Sequence, residues 1–159
     1  MEKFTFFWNG PFSQWEPVTF VVDGVTYNCA EQYMMACKAR MFGDEDTLAS
    51  IMEAEHPRDQ KKLGRQVKGF NADRWNTRAR EFVYEGNYAK FTQNPEFLEK
   101  LTATKGTTLV EASPYDRIWG IGMAEGDKGI EDRENWRGTN WLGEELTSLR
   151  EDLIKANVV

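Results

Sequence analysis

The chain has 159 residues, 40% hydrophobic, 13% aromatic and 29% charged, with 20 Lys and Arg against 26 Asp and Glu for a formal net charge of -6. That length suits one domain over residues 1–159 that buries a core unaided, and the acidity argues against a general duplex binder held by phosphate neutralisation. One histidine and two cysteines cannot assemble a zinc set of the Cys/His kind, so no such metal site is expected.

Met1 to Trp8 contains a short apolar stretch that breaks at Asn9-Gly10-Pro11. It is too short for a signal-peptide core, and no window approaches a membrane span. Residues 18–22 and 25–27 are rich in Val, Thr and aromatics and flank Asp23-Gly24, a two-residue type I′ hairpin signal. Asn28 is a suitable N-cap, with Glu31 at capping-box spacing, for a helix over 30–41 that Gly43 stops. Cys29 and Cys37 on one helix stand roughly 12 Å apart along its axis. A disulfide reaches only roughly 7 Å between Cα atoms, so both thiols are expected to be free and the chain cytoplasmic. Further helices are predicted over 46–54, 57–67 with Pro at its first turn, 75–91, and from Pro95 to about Ala103. Residues 107–112 read as a strand, loops fill much of 113–140, and a last helix covers 141–156. The sum is an α+β fold, mostly helical, with a small antiparallel sheet.

Residues 111–122 follow the predicted strand and crowd Asp116, Arg117 and Trp119 into one loop. Loops on a rigid scaffold commonly carry binding groups, and an acid beside a large aromatic suits general-acid work; an Asx-type turn under a structural Trp is the alternative. Glu31 divides similarly between a capping-box role and a ligand-facing carboxylate at a helix N-terminus, with Lys38 along the same helix. Trp75 opens a stripe with Ala79, Phe82 and Gly86 that reads either as core or as a stacking wall for a heterocycle. Arg58, Lys61, Lys62 and Arg65 share one helical face, either solvated or suited to a phosphate. His56, before Pro57, reads as a surface residue at a helix start.

Three strings, Phe12-Ser13-Gln14-Trp15, Ala30-Glu31-Gln32-Tyr33-Met34-Met35-Ala36-Cys37-Lys38-Ala39 and Leu63-Gly64-Arg65-Gln66-Val67, occur in the order found in the YbiA/NADAR family. Trp75-Asn76, Lys90-Phe91, the run Glu111 to Gly122 and the closing Trp136 to Gly143 follow in the same order. The resemblance covers residues 6 to 152 and implies a YbiA-like fold and N-glycosidase activity without a cofactor. It implies Glu31 and Asp116 as catalytic carboxylates, one on the sugar and water side and the other at the leaving base, with the two roles interchangeable at this level. It also implies Trp75 and Trp119 as substrate contacts and Lys38 and Arg65 as phosphate or ribose contacts. The implied partner is a small N-riboside or nucleotide. One branch of the family acts on phosphoribosylamino-pyrimidine intermediates of riboflavin synthesis. Another removes ADP-ribose from guanine, which makes ADP-ribosylated nucleic acid the alternative. A non-catalytic nucleotide binder would not need both carboxylates. Met34, Met35 and Cys37 depart from the family's aromatic-rich helix and alter the pocket wall.

Overall fold

The computed structural model describes residues 1–159. In chain order the elements are β1 (Phe4–Phe7), β2 (Phe20–Val22), β3 (Val25–Tyr27), α1 (Ala30–Met41), α2 (Glu45–Glu53), α3 (Pro57–Gly64), α4 (Ala72–Thr92), α5 (Pro95–Thr102), β4 (Thr108–Glu111) and α6 (Trp141–Lys155). A single 3-10 turn lies at Arg133–Asn135. The α+β expectation holds, and no helix is long and apolar enough to cross a membrane. The chain forms two compact units, Met1–Ser13 with Pro95–Val159, and Gln14–Asn94.

The second unit, Gln14–Asn94, is organised around α1. This helix is buried on nearly every side, the state of a helix enclosed by other elements rather than lying on a surface. It packs against α2, α3, α4 and β3. Close approach depends on small residues: a Cβ at Gly86 of α4 would fall 2.6 Å from the Tyr33 ring, and one at Gly64 of α3 would run into the Met35 sulfur. Tyr27 and Tyr33 meet edge to face at 5.0 Å, and Phe20 stacks on Tyr27 at 5.7 Å. Those aromatics reach the core through the β2–β3 hairpin, whose turn has the positive φ values of type I′ (Asp23 51°, Gly24 80°). The outer edge of β2 is closed by a side chain, with Gln93 accepting from Val21 N–H and donating to Val21 C=O, both at 2.8 Å.

The start of α1 differs from expectation by one residue. Cys29, not Asn28, is the N-cap, and its Sγ accepts from Gln32 N–H at 3.4 Å. Gln32, not Glu31, supplies the reciprocal bond, its Oε1 accepting from Asn28 N–H at 2.8 Å. The reason is local: the Cys29 thiol also donates to Gln60 Oε1 at 3.1 Å, and Gln60 in turn donates to Asn28 Oδ1 at 3.0 Å. A carboxylate in place of Gln32 could not also donate to Ile51 C=O, as the Gln32 amide does at 3.1 Å. Burial pushes the Cys29 thiol up to about 11, which keeps the proton that this network uses.

In the first unit, Met1–Ser13 with Pro95–Val159, β1 and β4 pair in parallel from Phe4–Thr108 to Phe7–Glu111. The sequence reading contained β4 but not its partner. The far edge of β4 is sewn to the start of α6. Asn140 Oδ1 accepts from Glu111 N–H (3.0 Å), Asn140 Nδ2 donates to Leu109 C=O (3.1 Å), and Thr147 Oγ1 accepts from Leu109 N–H (2.9 Å). A Cβ at Gly143 would collide with the Leu109 carbonyl and the Asn140 amide, so this helix start tolerates only glycine there. Val110, Ala112, Ile121, Met123 and Ile130 form a core cluster beneath Phe4, Phe6 and Trp136.

Candidate functional site

Four of the six residues singled out from sequence lie in the second unit: Glu31, Lys38, Arg65 and Trp75. Glu31 is the second residue of α1 and only 7% exposed. Because Cys29 and Gln32 make the cap, capping does not account for its carboxylate. The Glu31 peptide is anchored separately, its N–H donating to Gln14 C=O at 2.9 Å.

Lys38 follows two helical turns later, on the same face. Its ammonium lies 4.4 Å from the Phe70 ring centroid and 6.0 Å from that of Trp75, so two aromatic faces replace part of its water shell. Burial is the main cause that draws its pKa down; the Glu31 carboxylate opposes the shift and the Arg65 guanidinium adds to it. Glu31 and Arg65 therefore both act electrostatically on Lys38, with opposite signs.

Arg65 sits at the C-cap of α3 rather than within the longer helix predicted for 57–67. The helix ends after Gly64, and Arg65 is exposed. Arg58, Lys61 and Lys62 are exposed as well, which gives α3 a solvated cationic side. His56 caps this helix through Nδ1, accepting from Arg58 N–H at 3.0 Å, a structural role at an exposed position.

Trp75, 7% exposed, stacks on Phe82 at 5.8 Å with a 24° tilt. With Ala79 and Gly86 buried along the same stripe, it serves the packing of α4 against the unit. Phe70, unremarked in the sequence, belongs beside it: it is 43% exposed, meets Phe42 edge to face at 5.5 Å and carries the Lys38 ammonium.

Lys90, first of the Lys90-Phe91 string, stands out among the ionisable groups of the second unit. It is completely buried on α4, and desolvation draws its pKa down to about 7 despite the favourable charge of Glu16. A lysine directly before a core phenylalanine, on a helix with an apolar stripe, was the available signal.

Asp116 and Trp119 belong to the first unit. The Asp116 Oδ1 accepts from Ile118 N–H at 2.9 Å and Trp119 N–H at 2.8 Å, a tight Asx turn. Ser113 Oγ accepts from Asp116 N–H at 3.2 Å, and Gly122 N–H returns to Asp116 C=O at 3.1 Å. Residues 137–140 then lie along the loop, with Arg137 N–H on Ile121 C=O (2.8 Å), Thr139 N–H on Arg117 C=O (3.0 Å) and Asn140 N–H on Gly120 C=O (3.0 Å). The two most specific strings in the sequence therefore form one backbone-bonded substructure. Trp119 is half-buried and meets Trp141 edge to face at 5.5 Å.

The NADAR domain family model matches residues 6–154. An N-glycosidase of Acanthamoeba polyphaga mimivirus is 44% identical over 147 residues, 89% of this chain and 86% of that protein. Protein irg-1 of Caenorhabditis elegans is 41% identical over 80% of this chain and 61% of its own. A chloroplastic riboflavin biosynthesis protein, PYRR of Zea mays, is 30% identical over 91% of this chain but only 23% of its own length. Among solved structures, Escherichia coli YbiA superposes with a TM-score of 0.81 at 27% identity, covering 99% of this chain and 89% of that one.

Proposed function

The chain belongs to the NADAR domain family, and on that premise we propose that it is an N-glycosidase acting on the ribose C1–N bond of a phosphoribosylamino-pyrimidine intermediate of riboflavin synthesis or a similar N-riboside. N-glycosyl hydrolysis follows from the viral N-glycosidase relative, which matches most of both chains. The riboflavin-pathway substrate draws its support from the maize relative and from the cation pair Lys38 and Arg65, which suits one phosphate.

One observation carries the reading: a buried carboxylate at the start of α1, not accounted for by the helix cap, within the field of Lys38. Hydrolysis of a ribosyl C–N bond passes through an oxocarbenium-like state, with positive charge on the sugar and electron density moving onto the leaving nitrogen. Glu31 is assigned to the sugar side. Its carboxylate faces the developing cation and takes the proton of the water whose oxygen bonds to C1. As the C1–N bond breaks, its electron pair goes to the nitrogen, which takes up a proton. Asp116 is assigned to orient the ribose or deliver that proton, and Trp75 and Trp119 to contacts with the base. The family motifs support these three assignments, and residues 1–159 are read as one catalytic domain. Two free buried thiols support a cytoplasmic location.

A second reading draws on the exposed cations of α3, Arg58, Lys61, Lys62 and Arg65, which suit a substrate carried on a nucleic acid strand. Incubation with a phosphoribosylamino-pyrimidine, with ADP-ribosylated guanosine and with ADP-ribosylated single-stranded DNA, followed by mass spectrometry, separates the readings. Release of ribose 5-phosphate and free base is the expected result. Release of ADP-ribose alone moves the function to the second reading, and ligand binding without product refutes hydrolysis.

A further inference from the structure

We propose that Asn87, acting through Gln14, is a positioning residue for Glu31, a role that rests on the reading of Glu31 as catalytic. Asn87 lies on α4 and is 1% exposed. Its Nδ2 donates to Val83 C=O, one turn back on the same helix, and to Gln14 Oε1, both at 2.8 Å. Turning the amide over would set Oδ1 against the Val83 carbonyl, two acceptors face to face, so its orientation is pinned. That pins Gln14, whose main-chain oxygen is the acceptor for Glu31 N–H at 2.9 Å. The Cys29 thiol accepts from Gln32 N–H at the cap, while Gln14 C=O accepts from Glu31 N–H. A chain of three hydrogen bonds thus ties the interior of a 21-residue helix to the peptide of the proposed catalytic carboxylate.

This link has a feature that packing does not explain. Gln14 Nε2 and Asn87 Oδ1 are both buried without a hydrogen-bond partner in the chain. Native proteins leave few such atoms, and an apolar pair of similar volume, Met and Leu, would fill the space with none. What the amides provide, and Met and Leu would not, is a fixed direction for the Gln14 main chain. Keeping two orphaned polar atoms to hold one peptide in place makes sense where that peptide carries a side chain whose geometry matters. Lys90 lies one turn further along α4, so that helix carries buried polar side chains at two successive positions of the Asn87 face.

The test uses Asn87→Leu in the full chain, measured by hydrogen exchange of the Glu31 amide and by steady-state kinetics, in the wild-type and Glu31→Gln backgrounds. Exchange at Glu31 should rise about tenfold or more while the amides of Ala36 and Ala39 keep their protection. The kcat should fall about tenfold with KM within about threefold, and the residual rate of Glu31→Gln should change by less than about twofold when Asn87→Leu is added. An undiminished kcat, unchanged exchange, or the same tenfold loss in the Glu31→Gln background would each overturn the proposal. Should Asn87→Leu not fold, Gln14→Met removes the same amide contact, keeps the main-chain carbonyl and carries the same comparison. A wild-type chain that turns over no N-riboside refutes the reading of Glu31 itself, and the exchange measurement still decides on the link.

Discussion

The start of α1 in the second unit and the 113–122 loop of the first each hold an acid and sit within a family string, yet they use the acid differently. In the loop, the Asp116 carboxylate closes an Asx turn with two backbone N–H groups, and residues 137–140 bind the same loop through main-chain bonds. On α1, the capping duties fall to Cys29 and Gln32, and Glu31 acts on the Lys38 ammonium by its charge. The density of a motif therefore does not separate scaffold from chemistry. Hydrogen-bond accounting says more: it assigns the Asp116 oxygen a turn to close and gives the cap of α1 to Cys29 and Gln32.

The largest effect expected from this contrast concerns the tryptophans. Trp75 is buried against Phe82 and Trp119 only half-buried, so Trp75→Ala should cost about 3–5 kcal/mol of stability and Trp119→Ala distinctly less. Chemical denaturation of both variants reads the difference, and equal losses would break the contrast in burial. At Asp116 two substitutions divide the turn from the chemistry. Asp116→Ala removes the acceptor for two N–H groups and should cost about 1 kcal/mol, the scale of a lost helix cap. Asp116→Asn keeps an oxygen acceptor and should keep the stability. If Asp116→Asn is as stable as wild type but about 10²-fold slower, the residue is chemical as well as structural. If it is fully active, Asp116 belongs to the scaffold alone.

A smaller effect sharpens the contrast through pH. The Lys90 pKa is drawn from 10.5 to about 7 in the folded chain, so above pH 7 the unfolded chain holds a proton that the folded one gives up. Stability should therefore rise as pH increases from about 7 to 9. Beyond that, Cys29 and Cys37, pushed from 9.0 up to about 11 by burial, work in the opposite sense, because the unfolded chain loses their protons first. Lys90→Met should flatten the rise between about pH 7 and 9 and stabilise the protein most on the acid side. Thermal denaturation across that range checks it, and an identical slope in the variant would contradict the account of Lys90.

The local signals in this sequence were legible where the chemistry is local. The bounds of α1, Ala30–Met41, coincide with the predicted 30–41, and the Asp23-Gly24 turn has the backbone its residues demand. Strand β1 was missed because its parallel partner β4 lies about a hundred residues away, and such pairing leaves no trace in neighbouring residues. The cap was misplaced by one residue because Asn is the stronger capping residue in general, whereas here the neutral Cys29 thiol both accepts from Gln32 and donates to Gln60 of another helix. Of the candidate site, the shared helix face of Glu31 and Lys38 was readable from their spacing, while their assigned roles come from the family resemblance. The place of Phe70 was not readable, and Lys90 left only its position before a core phenylalanine, since the surroundings of each depend on contacts made between elements rather than along one.

The central claim is that Glu31 carries the chemistry. Its most direct test is the turnover of Glu31→Gln on the N-riboside that the wild-type chain hydrolyses, with the fold checked by thermal denaturation. Capping by Cys29 and Gln32 predicts an unchanged melting temperature, and the catalytic assignment predicts a kcat lower by at least about 10²-fold with binding retained. A variant that turns over at the wild-type rate, or one that loses its fold instead of its rate, would contradict it.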